Sequence, residues 1–329
     1  MKQGLVFGML ALATFLLLPI ALLQNPPAET IQIDVTESFL SAETATEEAV
    51  FSPTVSYDES KTVSVLFQGI PVKMSLQEYL VGVLLGELPT NFSEQTFAAQ
   101  AVACRTYTLR VTSGRKHPNG EVCTDHKCCQ AWREPLSVSE EIRKKAEQAV
   151  KQTDGMVLTW QDKLIDATYF SCSGGKTEAA EAVWGSAVPY LVSVDSPGEE
   201  FAPRYQSSIS FTPDEMRDLL RDQPGCDLSG SPETWFGPAT ETSGGGIANI
   251  ELGGTLVSGT QLRRLLGLNS TVFRVTASSE IITFTVWGFG HRVGMSQYGA
   301  EAMARAGKAY TEILLHYYSG TELRSWEES

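Results

Sequence analysis

Glu87 falls eleven residues after Leu76, four after Val83 and three after Leu84. Those spacings put it on one helical face with Leu76, Tyr79, Leu80, Val83 and Leu84, so its carboxyl is expected to point inward. Burial disfavours the charged form, and a place in the last turn, at the negative end of the helix dipole, adds to that effect. A carboxyl kept protonated near neutral pH is what a general acid acting on a glycosidic oxygen requires. The alternative is a purely structural Glu87 neutralised by a buried cation, and Arg105 on the next helix is the obvious partner.

A second group of reactive side chains lies in residues 117–130. His117, Cys123, His126, Cys128 and Cys129 place five donors, three of them thiols, within thirteen residues. Zinc favours four Cys and His ligands in a tetrahedron, and a closed set from one loop fixes that loop's shape. Which four of the five bind is left open by the spacing. The chain has six cysteines, but adjacent Cys128 and Cys129 beside two histidines fit a metal cluster better than a disulfide framework.

Three further stretches carry polar side chains among glycines. Asp166–Glu178 includes Tyr169, Ser173 and Lys176 and ends in a Ser/Gly turn. Trp287–Gly299 sets His291 and Gln297 among glycines, and Leu315–Gly320 closes a helix with His316. Hydroxyls and bare backbone suit a sugar ligand, yet each stretch alone is also an ordinary turn.

The elements that must position these groups can be read from periodicity. Thr62–Phe67 suits a strand, and Ser75 with Glu78 forms a capping box before the helix that carries Glu87 and stops at Pro89. A second helix starts at Ser93 and a third spans about residues 139–152. Met156–Trp160 and Leu164–Ser171 flank Gln161-Asp162-Lys163 as a hairpin. Residues 195–245, rich in Gly, Pro and Ser, read as an irregular insertion. A strand over Ile281–Trp287 and two short helices, about 295–306 and 311–318, complete an α+β chain of mixed helices and antiparallel strands.

The whole chain sets the setting. Its 329 residues are 42% hydrophobic and 19% charged, ordinary for a globular protein, and the net charge of −14 argues against nucleic acid. No charged residue interrupts Leu5–Leu23, a run of roughly 28 Å as a helix, about one hydrocarbon core. Residues 1–24 are therefore expected to be an uncleaved transmembrane anchor, with a cleaved signal peptide as the alternative. Lys2 alone precedes the run, which puts the bulk of the chain outside the cell membrane. Residues 25–60 hold eight acidic residues and no Lys or Arg, and read as a flexible linker to a single domain over 61–329.

Taken together, these segments resemble one family. Tyr79-Leu-Val-Gly-Val-Leu-Leu-Gly-Glu-Leu-Pro89 looks like its catalytic-glutamate motif, and Phe97-Ala-Ala-Gln-Ala-Val-Ala-Cys-Arg-Thr-Tyr107 like the helix that follows. Ser171-Cys-Ser-Gly-Gly-Lys-Thr-Glu178, Gly288–Ala300 and His316-Tyr-Tyr-Ser-Gly320 are similar to its middle and C-terminal motifs. The family is that of stage II sporulation protein D, whose relatives include amidase-enhancer proteins.

The resemblance implies a lytic transglycosylase with Glu87 as acid. Such an enzyme cuts the MurNAc–GlcNAc bond of peptidoglycan glycan strands already stripped of stem peptides and leaves 1,6-anhydro-MurNAc ends. It implies work in forespore engulfment beside a cell-wall amidase or endopeptidase and a membrane protein of the engulfment complex. It also implies structural zinc, with His117, Cys123, Cys128 and Cys129 at the family's ligand positions; Cys128 stands where a His is expected, and His126 lies two residues earlier. Arg105, Tyr169, Ser173, Lys176, His291 and Gln297 become candidates for sugar contact. Two other classes remain to be discriminated by their products: a zinc hydrolase of stem peptides, and a non-catalytic glycan binder that activates an amidase.

Overall fold

The computed structural model describes residues 56–114 and 116–326. The apolar run Leu5–Leu23 and the linker up to residue 55 lie outside the described residues. Among the described residues, no helix is long and apolar enough to cross a membrane.

Regular structure is present before residue 61. A single-turn helix, α1 (Tyr57–Ser60), falls inside the stretch read as linker. The Asp154 carboxylate accepts the backbone N–H groups of Tyr57 and Asp58 at 3.0 and 2.9 Å, which ties this turn down. Asp58, counted by composition among the solvated acids, is buried and bonded to Arg105 at 2.5 Å. A short polar stretch can be held by two specific partners even where its composition reads as spacer.

The next elements form where the local signals place them. Strands β1 (Thr62–Phe67) and β2 (Ile70–Ser75) form a hairpin whose two-residue loop, Gln68-Gly69, takes positive φ at both positions, as the strand twist demands. Helix α2 (Leu76–Glu87) starts at the predicted capping box of Ser75 and Glu78. Helix α3 (Glu94–Gly114) is capped from afar, since Ser93 and Thr96 donate to the Glu301 carboxylate. Strand β3 (Val122–Cys123) pairs parallel with β1, and helix α4 (Glu140–Gln152) packs on α2 and α3. Tyr79, Leu80, Val83, Leu84, Phe97, Ala101 and Val150 fill the core between these helices.

The chain then builds short strands against the far side of α3. Strand β4 (Met156–Trp160) pairs with β5 (Lys163–Leu164), so the predicted hairpin exists with a shorter second arm. Beyond it come β6 (Tyr169–Phe170), β7 (Gly175–Lys176), helix α5 (Ala180–Trp184) and β8 (Asp195–Ser196). A second core of Val102, Leu158, Ile165, Val293, Met295, Ile313, Leu314 and Tyr317 joins this region to the C-terminus.

Residues 206–287 correct the reading of an irregular insertion. They form a β-rich lobe: β9 (Gln206–Phe211), α6 (Pro213–Leu219), β10 (Phe236–Glu241), β11 (Ile247–Leu252), β12 (Thr255–Ser258), α7 (Gly259–Leu266), β13 (Val272–Ala277) and β14 (Ile282–Trp287). Two three-stranded sheets, β10-β11-β12 and β13-β14-β9, enclose a third core that includes Met216, Leu252, Val257, Leu262 and Phe284. The glycines and prolines supply the turns between short strands. Gly253-Gly254, with φ of 56° and 79°, turns β11 into β12.

The chain ends with β15 (Met295–Ser296), α8 (Gln297–Arg305), α9 (Tyr310–Tyr317) and β16 (Glu322–Ser325), the last antiparallel to β4. The class is α+β, with mainly antiparallel sheets.

Candidate functional site

Glu87 is the last residue of α2 and is partly buried. The loop that carries the cysteine pair returns across this helix end, and Ala131 N–H donates to Glu87 Oε1 at 2.6 Å. Two helical glycines make room for the crossing. A Cβ at Gly86 would lie 2.8 Å from the Ala131 carbonyl carbon, and one at Gly82 would overlap the Trp132 indole. Arg133 N–H completes the contact by donating to Gly82 O at 2.9 Å.

Burial raises the Glu87 pKa above its ordinary value; the Ala131 N–H, and the Tyr169 and Gln297 side chains beside the carboxyl, pull the other way. An oxygen that accepts a backbone N–H cannot also present its proton there, so a protonated Glu87 carries its hydrogen on Oε2. Arg105 does not neutralise this carboxyl. It is fully buried and its guanidinium binds Asp58 together with the Met156 carbonyl. The expected structural ion pair with Glu87 is therefore absent, and so is any face of Arg105 that a sugar can reach.

Pairing of distant strands brings two more groups in. Strand β15 runs parallel to β6, with Met295 opposite Tyr169. This places Gln297, at the start of α8, where its Nε2 donates to the Glu87 carbonyl oxygen at 3.3 Å. Burial holds the Tyr169 hydroxyl well above its ordinary pKa, so it stays a proton donor. The same cause pushes the neighbouring Cys104 thiol up to about 12.

The remaining sugar-contact candidates separate. His291 accepts the Val293 N–H at Nδ1 (3.1 Å), which leaves its proton on Nε2. Burial, assisted by Arg263, lowers its pKa to about 4, so the ring is neutral at physiological pH. It lies between the Phe170 and Trp184 rings, each with its centroid 5.7 Å away, and Trp184 is 45% exposed. Trp184 also lines a cavity of about 530 Å³ with Tyr107, Arg110, Lys116 and Thr168, next in sequence to Tyr169. Ser173 faces inward instead: fully buried, it donates both N–H and hydroxyl to the Glu199 carboxylate. Lys176 is partly buried, and its carbonyl accepts from Arg292 Nη2 at 2.7 Å.

Four of the five metal-ligand candidates converge. Donor atoms of His117, Cys123, Cys128 and Cys129 all lie within 4.8 Å of one another, with His117 Nε2 3.2 Å from Cys129 Sγ and 3.8 Å from Cys128 Sγ. Ligands on a zinc ion, at bonds of roughly 2.0–2.3 Å, stand roughly 3.3–3.8 Å apart, close to the two His117–Cys separations, and the donor types suit that ion. Burial raises the Cys129 thiol to about 11, so a cation is needed to hold it as thiolate. His126 stays outside the group. Its side chain is 69% exposed and lies 3.8 Å from Asp125.

Inspection of the sequence missed Gln130 and Ala131, which follow the cysteine pair and reach Glu87 and Tyr169. A signal existed in Gly82 and Gly86, two helix-weakening residues one turn apart just before Glu87.

This geometry is that of an α+β domain whose one loop both gathers a Cys/His cluster and braces a half-buried carboxyl. A family model described as stage II sporulation protein matches residues 69–160. Stage II sporulation protein D of Bacillus subtilis (strain 168) is 34% identical across 98% of this chain and 96% of its own length. That of Bacillus amyloliquefaciens is 37% identical across 75% of this chain and 74% of its own. The chain is also similar to the amidase enhancer of Bacillus subtilis (strain 168), at 29% identity over 75% of this chain and 40% of that protein. The chain belongs to the stage II sporulation protein D family.

Proposed function

We propose that this protein is a lytic transglycosylase acting on peptidoglycan glycan strands that have lost their stem peptides. The observation that carries this reading is Glu87, a partly buried carboxyl braced at Oε1 by a backbone N–H and, among the described residues, with no arginine on it. Protonated at Oε2, it gives that proton to the glycosidic oxygen as the MurNAc–GlcNAc bond breaks. The resulting carboxylate then takes the proton of the sugar's own C6 hydroxyl, whose oxygen closes the 1,6-anhydro ring on C1. One group serves as acid and then base. Hydrolysis with inversion or retention requires a second carboxylate. Among the described residues, no other carboxylate joins the hydrogen bonds of Glu87.

Within this reading, Tyr169 and Gln297 hold the acid, and Trp184, backed by the His291 ring, offers an aromatic face to a sugar. His117, Cys123, Cys128 and Cys129 would hold a zinc ion whose contribution is to keep the 117–130 loop closed. The chain would work at the sporulation septum in forespore engulfment. It would be tethered by residues 1–24, with its folded part outside the membrane, beside a cell-wall amidase and a membrane protein of the engulfment complex. Muropeptide analysis after digestion of intact and denuded sacculi tests the reading: anhydro ends from denuded strands are expected. The amidase-enhancer relative favours one alternative, a glycan binder that activates an amidase without cutting, for which strand binding without cleavage would speak.

A further inference from the structure

Gln130 stands between the metal-ligand cluster and the acid, and its side chain is only 1% exposed. Its Oε1 accepts from Thr108 Oγ1 at 2.9 Å and from the Tyr79 hydroxyl at 3.3 Å, while its Nε2 donates to the Tyr169 hydroxyl oxygen at 3.2 Å. The opposite amide orientation would leave the buried Tyr79 hydroxyl proton without an acceptor, which is costly. A Tyr169 oxygen that receives an N–H keeps its own proton to give, and Glu87 is beside it. Through the main chain, Gln130 follows Cys129 and precedes Ala131, whose N–H reaches Glu87 Oε1. Two of the three donors beside the acid, the Ala131 N–H and the Tyr169 O–H, therefore adjoin this one residue.

We infer that Gln130 is a positioning residue that aims the Tyr169 O–H and the Ala131 N–H at Glu87 and so couples the acid's orientation to closure of the Cys128–Cys129 turn. This rests on the reading of Glu87 as the acid. Gln130 touches neither sugar nor reacting atoms; it acts by holding the groups that hold the carboxyl in one rotamer through both halves of the reaction. Thr108 and Tyr79 in turn fix Gln130 to the core helices α3 and α2, so the clasp has a rigid footing.

Gln130→Glu tests this directly. It keeps the shape and both acceptor contacts, and with kcat read across pH its ionised form cannot donate to Tyr169, whose O–H then turns to it and away from Glu87. On denuded strands kcat should fall by about tenfold to a hundredfold, the size expected for a misplaced reacting group, with KM and metal content unchanged. Tyr169→Phe should lower kcat by itself, and Gln130→Glu added to it should cost less than in the wild-type background. Full additivity, wild-type kcat, or a loss explained by KM or by lost metal overturns the inference. If Gln130→Glu fails to fold, Gln130→Met in the same cycle carries the same expectation. Retained activity in Glu87→Gln would instead remove the acid itself, and the inference would fall with it; loss in Glu87→Gln beside full activity in both Gln130 variants would remove the inference alone.

Discussion

The Ala131 amide proton reaches Glu87 Oε1 across 2.6 Å, although 44 residues of chain separate the two. A helix end and the far side of a Cys/His loop are thereby one structure, and disturbance of either should be felt by the other.

Glycine at position 86 is what permits that contact. Alanine there should favour the helix by roughly 0.5–1 kcal/mol. The added Cβ would stand 2.8 Å from backbone atoms of Ala131, which cannot yield as a side-chain tip can. Gly86→Ala should therefore lower kcat by about tenfold or more, through displacement of the brace on Glu87. Kinetics on denuded strands, beside circular dichroism to confirm the fold, check this; unchanged kcat would show that the crossing is not needed.

Metal content should follow the four converging donors. Cys123→Ser and Cys129→Ser should lose zinc and cost roughly 2 kcal/mol or more, about 4–8 °C in melting temperature for a domain of this size. His126→Ala should keep both metal and stability, because the exposed ring faces Asp125 rather than the cluster. Metal analysis with thermal melts decides between them.

The Asp58–Arg105 pair predicts where a soluble domain can begin. A chain starting at residue 56 keeps the pair, whereas one starting at 61 leaves a buried guanidinium without its carboxylate. The shorter chain should be less stable by about 3–5 kcal/mol, and Asp58→Ala should reproduce the loss. Equal melting temperatures would contradict this.

Glu87 should also mark the pH dependence of stability. Its folded-state pKa is raised above the ordinary 4.5 by burial. Below that value both folded and unfolded chains hold the proton, and the group is neutral in its effect. As pH rises, the unfolded chain ionises first, so stability is lost up through the folded-state pKa. Glu87→Gln has no proton to lose, and its carbonyl still accepts the Ala131 N–H. Its stability gain over wild type should be small below pH 4.5 and grow above it. Melts across pH check the sign.

What the sequence disclosed follows the range of the interactions. The capping box at Ser75 and Glu78 and the inward stripe that places Glu87 are local, and both were legible. The convergence of cysteines was legible because its donors share one loop, yet spacing alone did not separate Cys128 from His126. Ser173 and Arg105 sat in suggestive motifs, and nothing in their spacing told that Glu199 and Asp58 hold them inside. The lobe over 206–287 was hidden because short strands joined by Gly, Pro and Ser carry little periodicity.

The central claim is that one carboxyl, Glu87, performs the cleavage, and release of 1,6-anhydro-MurNAc ends from denuded glycan by wild type and Glu87→Gln tests it most directly. The wild-type protein should release them, and the variant, folded and still loaded with metal, should lose at least about a hundredfold in rate, the contribution of a positioned general acid. Release by the variant at near the wild-type rate would contradict the account.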